Sequence, residues 1–439
     1  MVPMAEFQRR RQRVFEQMTD NSIAVFAAAP VVHRNSDTEY PFRQESYFYY
    51  LTGFEESFAI AVLVKKDGQQ RYVLFCQERD PEAERWTGSR VGIQGACQDY
   101  LADEAYSISE TTLRLPNVFS GINCVYYLVN SNPGLDKKLF SWIDTLRKKS
   151  RQGVKAPSKY IDLRAIVDDL RLIKTPEEIK LMRKVCAISA SAHVKAMHHA
   201  RVGMNESELE GLILYEFMQQ GCRNVAYSSI VASGNNACTL HYTRNNTIIE
   251  KDALVLIDAG AELENYAADI TRTFPVSGKF TLQQQAIYEL VLAAQKAAIA
   301  LIKPGLAFED LQKTIVNVIV AGLVELKILK GDINTLVEEK AYLPFYMHNS
   351  SHWLGLDVHD VGDYKVDNQS RRLAQGMVFT VEPGLYLDAN DTHIPEQWRG
   401  IGVRIEDDVL VNTVGCEVLT ADAPKTVHDI ETLMAYRRD

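Results

Sequence analysis

Apolar residues in the first third of the chain are spaced as in short strands separated by charged helices. A strand is predicted around Ile23–Ala28, and two more lie within 58–76, where β-branched and aromatic residues dominate. The Asp67-Gly68 pair between these two is typical of a tight hairpin turn. A charged, amphipathic helix is predicted over about 4–19. This pattern favours an α/β domain.

A long helix opens the second part of the chain. Thr175 suits the N-cap, Pro176 the first helical position and Glu178 the third, which together predict a capping box. At 439 residues the chain is too long for one ordinary core. We therefore place a boundary near 172, which gives domains 1–172 and 173–439.

Two apolar runs in 253–276 each contain one aspartate, Asp258 and Asp269. If the hairpin turns about Leu263–Glu264, the two aspartates face each other across the ladder. Directly opposed like charges destabilise a hairpin, but a cation between them would make the pair a binding site. The alternative is that each aspartate caps the end of a strand.

Two later strands contain carboxylates as well. Glu382 interrupts the apolar run 376–387, and Arg404 and Glu406 share one face of the run 400–411 by the two-residue period of a strand. A glutamate within such a run must be paired, protonated or coordinating a metal.

Three histidines, His348, His352 and His359, lie within twelve positions. They lack the His-Glu-x-x-His pattern of a zincin helix, so a metal here must draw ligands from elsewhere. Combined with the carboxylates, one of them would complete a set dominated by oxygen. Such a set suits two hard divalent ions such as manganese, roughly 3.5–4 Å apart.

Three further histidines lie on the long second-domain helix, namely His193, His198 and His199. They have no acidic residue at a ligand-like spacing. We interpret them as exposed or capping residues without a role in chemistry.

Composition narrows the function classes further. The formal charge of −9 gives nucleic acid no electrostatic footprint. Seven scattered cysteines without a Cys-x-x-Cys pair indicate a reducing compartment. The N-terminus lacks the apolar core of a signal peptide, and no apolar run could span a bilayer. We expect a cytoplasmic protein without nucleic-acid or membrane partners.

The carboxylates and one histidine now form a recognisable set with its flanking sequence. "IDAGAELENYAADITRTFPVSGKF", "SHWLGLDVHDVG" and "FTVEPGLY" resemble the ligand segments of the dinuclear pita-bread metallopeptidases, which include methionine aminopeptidase, prolidase and aminopeptidase P. The resemblance is strongest to bacterial aminopeptidase P and covers essentially the whole chain. It implies an α/β N-terminal domain followed by an α+β pita-bread (creatinase/aminopeptidase-like) catalytic domain. It also implies two Mn²⁺ ions per subunit, with other divalent ions as alternatives. The metal ligands it implies are Asp258, Asp269, His352, Glu382 and Glu406.

The resemblance also implies roles for single residues. Asp269 and Glu406 would bridge the two ions, and Glu382 would act as the general base as well as a ligand. His241 would bind substrate, while His348 and His359 would contact substrate and stabilise charge on the attacked carbonyl oxygen. The residues expected to shape the proline site and orient Glu406 are Arg404 and Tyr386.

The activity implied is hydrolysis of the first peptide bond in peptides with proline at the second position, by attack of a hydroxide that bridges the two metal ions. The resemblance further implies a homo-oligomer, a tetramer with a dimer as the alternative. In that assembly the N-terminal domain would contribute Asp37 and Trp86 to a neighbouring subunit's substrate site. The structural alternatives are a packed aromatic for Trp86 and a loop-capping carboxylate for Asp37.

One segment departs from the family pattern. The family usually reads His-Gly-Leu-Ser-His where this chain has Asn349-Ser350-Ser351 between its histidines. The change bears on rate and substrate preference more than on the chemistry. Two other functions remain open: a prolidase, which shares the five ligands but cleaves dipeptides, and a metal-free pita-bread binding protein.

Overall fold

The computed structural model describes residues 2–436, and two compact units divide between Arg171 and Leu172. The helices of the first unit are α1 (Met4–Gln17), α2 (Ser46–Thr52), α3 (Pro81–Thr87), α4 (Gly92–Gln98), α5 (Thr111–Val118), α6 (Pro133–Arg147) and α7 (Arg164–Leu172), whose last residue passes the division. Its strands are β1 (Ser22–Ala27), β2 (His33–Asn35), β3 (Thr38–Glu39), β4 (Ile60–Lys66), β5 (Gln69–Cys76), β6 (Glu104–Ser107), β7 (Cys124–Tyr127) and β8 (Lys159–Asp162).

A six-stranded mixed sheet forms the centre of the first unit, in the order β6-β5-β4-β1-β7-β8. β4 and β5 form the hairpin that the Asp67-Gly68 pair predicts, and both turn residues have positive φ, 53° and 75°. Side chains of α5 and α6, among them Leu115 and Trp142, pack on the sheet in one buried cluster. The predicted α/β class of this unit is confirmed.

The helices of the second unit are α8 (Pro176–His199), α9 (Glu206–Gln219), α10 (Leu282–Leu301), α11 (Glu309–Glu325), α12 (Ile333–Glu338) and α13 (Val427–Ala435). Its strands are β9 (Asn224–Val225), β10 (Ile230–Ser233), β11 (Leu254–Asp258), β12 (Ala261–Leu263), β13 (Tyr266–Ala267), β14 (Thr271–Pro275), β15 (Lys365–Val366), β16 (Gln369–Ser370), β17 (Val378–Val381), β18 (Gly384–Leu387), β19 (Ile401–Arg404), β20 (Asp407–Val411) and β21 (Cys416–Val418). Three of its sheets, β10-β11-β14, β17-β20-β21 and β18-β19, carry the candidate site carboxylates and Arg404 at or next to the points where strands end or break.

The predicted capping box of α8 is confirmed. The Thr175 side chain accepts from the backbone N–H of Glu178, while the Glu178 carboxylate accepts from the backbone N–H of Thr175 at 2.8 Å. Pro176 occupies the first helical position, where its missing N–H is harmless.

The turn predicted at Leu263–Glu264 is wrong by one residue. Leu263 pairs with Tyr266, so the turn residues are Glu264 and Asn265, with φ of 50° and 64°. A two-residue turn of this type needs positive φ at both central positions, and asparagine tolerates that conformation better than leucine does.

The shifted turn changes the partner of Asp258. It faces Thr271, not Asp269 as predicted, so the two aspartates are offset by two residues along the ladder. Asp269 lies just before β14, and the Tyr227 hydroxyl contacts both aspartates. The aspartates therefore still converge, diagonally instead of directly.

Candidate metal centre and active site

A cavity of about 790 Å³ in the second unit gathers most of the residues singled out in the sequence. Those that line it are His241, Asp258, Asp269, His348, His352, His359, Glu382, Arg404 and Glu406. They come from β11, from the approach to β14, from the breaks after β17 and β19, and from two loops. The tertiary fold thus brings residues up to 165 positions apart in sequence, from 241 to 406, to one cavity.

The two aspartates are joined by a tyrosine that the sequence analysis missed. The Tyr227 hydroxyl lies 2.6 Å from Asp258 Oδ1 and 2.5 Å from Asp269 Oδ1. Burial, followed by the charges of both aspartates, raises the pKa of Tyr227 well above its ordinary value. The phenol therefore remains a donor and holds the two carboxylates in fixed relation.

His352 completes a compact ligand group with Asp269 and Glu406. One potential ligand atom from each of the three lies within 4.8 Å of the others. His352 Nε2 is 3.4 Å from Asp269 Oδ2 and 3.6 Å from Glu382 Oε1. The other ring nitrogen, Nδ1, lies 3.1 Å from the Trp353 carbonyl, which assigns the proton to Nδ1 and leaves Nε2 toward the carboxylates.

Burial and mutual repulsion make these carboxylates hard to ionise together. The pKa of Glu406 is raised well above its ordinary value and that of Glu382 to about 7, in both cases first by burial. The pKa of Asp258 is also raised by burial, although Arg404 opposes the shift. Burial disfavours protonated His352, but Asp269 and Glu382 outweigh it and raise the pKa of His352 to about 9.

This charge pattern fits a divalent metal centre. Three buried carboxylates and the partly buried Glu382, around one imidazole, lack sufficient positive charge, because Arg404 is the single guanidinium that ion-pairs with one of them in the described part of the chain. Carboxylate oxygens with one imidazole nitrogen are ligands for hard or borderline dications. The residues present therefore fit the metal that the sequence predicts.

A hydrogen-bonded chain runs from Asp258 to His348. Arg404 Nη2 donates to Asp258 Oδ2 at 2.7 Å, and Arg404 Nη1 donates to the Tyr386 hydroxyl at 3.1 Å. That hydroxyl lies 2.8 Å from His348 Nε2. Arg404 reaches Glu406 only through Thr271, whose hydroxyl donates to Glu406 Oε2 at 2.7 Å. Its direct carboxylate partner is Asp258.

His348 and His359 lie on either side of His352 in the sequence, and both line the cavity. Burial lowers the pKa of His348 to about 4, so its ring is neutral, and its Nδ1 is 2.8 Å from the Asn349 carbonyl. The ring of His359 lies edge-on to that of His352, with 4.3 Å between centroids. Its pKa is lowered by burial and by the neighbouring His352. Both are therefore neutral donors or acceptors near neutral pH.

The Ser350 position, where the chain departs from the family pattern, is buried and polar. Its hydroxyl has short contacts to the Tyr346 hydroxyl and to Gln312 Oε1, and its backbone N–H donates to the same Gln312 oxygen at 2.8 Å. Its carbonyl accepts from the backbone N–H of Glu382 at 2.7 Å. Ser350 thus belongs to a hydrogen-bonded cluster behind Glu382.

Other residues singled out in the sequence lie elsewhere. Asp37 and Trp86 are on the surface of the first unit, and Trp86 is 89% exposed, so the packed-aromatic alternative is wrong. The interpretation of His193 as exposed or capping is also wrong. It is fully buried, with Nε2 2.9 Å from the Ala259 carbonyl next to Asp258.

Asp408 is a further residue near the site that the sequence analysis missed. Its Oδ2 accepts from the backbone N–H of Asp269 at 3.0 Å and from the Cys186 thiol. Asp408 is the third acidic residue of "EDD", so the sequence shows its charge, but its partner Asp269 lies 139 positions away. Asp408 therefore fixes the backbone of a candidate ligand.

Oxygen-rich candidate ligands in one cavity, with neutral histidines beside them, fit a metal-dependent hydrolase. The comparisons with known proteins specify its family. The family model "Metallopeptidase family M24" matches residues 180–413, and "Aminopeptidase P, N-terminal domain" matches 7–126. The chain belongs to metallopeptidase family M24, in its aminopeptidase P group.

Two bacterial relatives match over nearly their whole length. The chain is 48% identical to the Xaa-Pro aminopeptidase of Escherichia coli (strain K12), covering 100% of this chain and 99% of that one. It is 46% identical to the Haemophilus influenzae Xaa-Pro aminopeptidase, with 99% and 98% covered.

Solved structures agree with this fold. The Pseudomonas aeruginosa aminopeptidase PepP superposes with a TM-score of 0.97 at 48% identity, covering 99% of each chain. The zinc-substituted E. coli aminopeptidase P in complex with product gives 0.98 at 46% identity, covering 100% of this chain and 99% of that one. The pita-bread class predicted for the second domain is confirmed. In residues 2–436 no helix has the length and apolar character to cross a membrane.

Proposed function

We propose that the protein is a Xaa-Pro aminopeptidase that removes the first residue from peptides with proline at the second position. The observation that carries the proposal is the convergence of Asp258, Asp269, His352, Glu382 and Glu406 in one cleft of an M24 fold. Relatives that match the whole chain have the same activity in their names.

Two divalent ions, manganese in our proposal, would polarise the scissile carbonyl and lower the pKa of the attacking water. Asp269 and Glu406 would be shared between the ions; both belong to the compact ligand group, which supports their role as ligands. Glu382 would accept the proton of that water, because a carboxylate whose pKa is about 7 is close to the working pH. The proton would then pass to the departing prolyl nitrogen.

The remaining residues would bind and orient the peptide. His348, held neutral and hydrogen-bonded to Tyr386, would present a fixed wall to the proline ring. His359 and His241 would contact the substrate and stabilise charge on the carbonyl oxygen. A bond to proline has no N–H, so a site that needs no donor from that nitrogen suits it.

Three matched peptides test the activity: Xaa-Pro-Yaa, Xaa-Ala-Yaa and the dipeptide Xaa-Pro. We expect the first to be cleaved fastest, with Glu382→Gln as the inactive control. Equal turnover of the alanine peptide would overturn the proposal, and cleavage of the dipeptide alone would indicate a prolidase. Plasma mass spectrometry should find two divalent ions per chain; a metal-free active site would overturn the dinuclear assignment.

We further propose a cytoplasmic homo-oligomer, a tetramer, in which the first unit limits access to the cleft. Asp37 and Trp86 support this: Trp86 is almost fully exposed, as an aromatic that contacts another subunit would be in an isolated chain. Light scattering should give four times the mass of one chain. Trp86→Ala should impair cleavage of long peptides while metal content stays unchanged; a fully active monomer would contradict the role.

A further inference from the structure

His241 lies on an irregular segment between β10 and residue 248. After β10 ends at Ser233, the chain forms a short 3₁₀ turn (Gly234–Cys238) and returns at Thr247, beside the start of α9. Leu240, His241 and Thr243 of this segment line the active-site cavity. We call residues 234–246 the His241 segment.

One buried carboxylate joins the two ends of the His241 segment. Glu206 is completely buried, and its Oε1 accepts from Ser233 N–H at 2.7 Å, from Ser233 Oγ at 2.8 Å and from Asn236 Nδ2 at 3.0 Å. Its Oε2 accepts from Tyr242 OH and from Thr247 N–H, both at 2.9 Å. One oxygen therefore holds the outgoing end, and the other holds the returning end.

The position of His241 depends on this arrangement. Its own side chain is exposed and makes no hydrogen bond within residues 2–436. The neighbouring Tyr242 packs its ring on the buried cluster of Ile230 and Leu256, and its hydroxyl binds Glu206. The position of the His241 imidazole therefore depends on the path of its backbone.

A simple helix-start role does not account for Glu206. The N-terminus of α9 already has a capping box, formed by Asn205 and Glu208. The helix dipole stabilises a glutamate in the first turn without requiring any particular hydrogen-bond donor. All five donors to Glu206 come instead from outside α9, and each belongs to the His241 segment or its flanking residues.

We propose that Glu206 is a positioning residue that holds His241 in the active site, an inference that rests on the proposed substrate-binding role of His241. A buried carboxylate is stable only when hydrogen-bonded donors surround it. Since those donors come from both ends of the segment, the segment cannot open without exposing the charge. Glu206 acts through the backbone and does not touch the substrate.

Glu206→Gln tests the proposal with almost no change in shape. The amide oxygen can still accept from Ser233, but the new NH₂ group faces the Thr247 N–H, which cannot accept a hydrogen bond. We expect faster hydrogen–deuterium exchange in peptides covering 234–246, with metal content unchanged. Glu216→Gln is the matched control, because Glu216 is a hydrogen-bonded glutamate of the same helix whose partners Ser191 and Lys195 lie away from the segment.

Kinetics separate positioning from general structure. Glu206→Gln should slow turnover of the Xaa-Pro tripeptide by about 10²-fold, the cost of a misplacement of roughly 1 Å. In a His241→Ala background it should cost little more, because the group it positions is absent. Unchanged hydrogen–deuterium exchange in 234–246 would overturn the proposal. So would a double variant in which the loss of turnover from Glu206→Gln multiplies with the loss from His241→Ala.

A second variant covers the case in which Glu206→Gln does not fold. Tyr242→Phe keeps the packed ring and removes one donor to Oε2, so it should raise exchange in 234–246 to a smaller extent; no change would count against the proposal. The exchange measurement needs no activity. Were the wild-type protein inactive on Xaa-Pro peptides, the proposed function would fail while the exchange result still decided whether Glu206 holds the segment.

Discussion

The candidate metal ligands and the candidate substrate histidines are held in place in different ways. Asp258 belongs to a strand, and even His352, which lies in a loop, is tied to Thr380 of β17 by its backbone N–H and carbonyl. The side chains of His241 and His359 are instead exposed, lie on loops and make no hydrogen bonds in residues 2–436. Asp258 is therefore held by its strand and His352 by hydrogen bonds to a strand, whereas His241 and His359 depend on polar anchors behind their loops.

His359 has such an anchor in the Lys174–Asp360 pair. Lys174 Nζ donates to Asp360 Oδ2 at 2.9 Å, and both side chains are 1% exposed. A Cβ on Gly355 would lie 2.2 Å from that Asp360 oxygen, so only glycine lets the loop close over the pair. A buried charge pair therefore determines the path of the loop just before and after His359.

The largest effect should come from removing a ligand. Asp269→Ala removes one carboxylate from the compact ligand group, so we expect loss of both metal and detectable peptidase activity. Plasma mass spectrometry and a tripeptide assay measure the two together, with the exposed Asp252→Ala as control. If Asp269→Ala kept its full metal content, Asp269 would not be a metal ligand, and the contrast between ligands and substrate histidines would not hold.

Breaking the buried anchor should rank next. Lys174→Met leaves Asp360 buried without its cation, and we expect a loss of about 3–5 kcal/mol in the free energy of unfolding. Urea unfolding followed by fluorescence measures this loss. Adding Asp360→Leu should restore much of it, because no unpaired charge then remains. If the double variant were no more stable than the single one, the charge pair would not be the cause.

Removing a loop histidine should spare the metal. His359→Ala is expected to lower turnover by about 10²–10³-fold, the usual cost of losing one transition-state donor. Metal content should stay at the wild-type value, because the ligand group is unaltered. Loss of both ions from this variant would make His359 a ligand, contrary to its assigned role.

The smallest effect is a gradual dependence of metal affinity on pH. Without metal, Asp269 and Glu382 raise the pKa of His352 to about 9 against the effect of burial. Protonated His352 stabilises the metal-free fold below its ordinary pKa, and this stabilisation is lost as pH rises through 9. Metal needs the neutral ring and ionised carboxylates, and the pKa of Glu406 is also raised, so Mn²⁺ affinity should rise at least about tenfold per pH unit between 7 and 9.

A competition titration of the metal-free protein at pH 7.5, 8.0 and 8.5 checks this slope. His348 should not contribute to it, because burial keeps its pKa at about 4. An affinity that does not change over this interval would mean that no proton leaves His352 when metal binds.

Local sequence was sufficient for features whose cause is local. The capping box of α8 needs only Thr175, Pro176 and Glu178, and the Asp67-Gly68 turn needs only two residues that accept positive φ. The candidate carboxylates stood out because charge within an apolar strand is costly without a partner. The predicted hairpin register was wrong. A turn shifted by one residue changes every opposed pair, and the apolar pattern permits both positions of the turn.

Long-range partners were beyond the reach of the sequence. Tyr227 meets Asp258 from 31 positions away, and Glu206 meets Thr247 from 41. A buried hydrogen bond of this kind has no periodicity, since it requires only that two chain segments fold against each other. The sequence by itself determined which groups are candidates for the chemistry, and the tertiary structure decided which groups hold them in place.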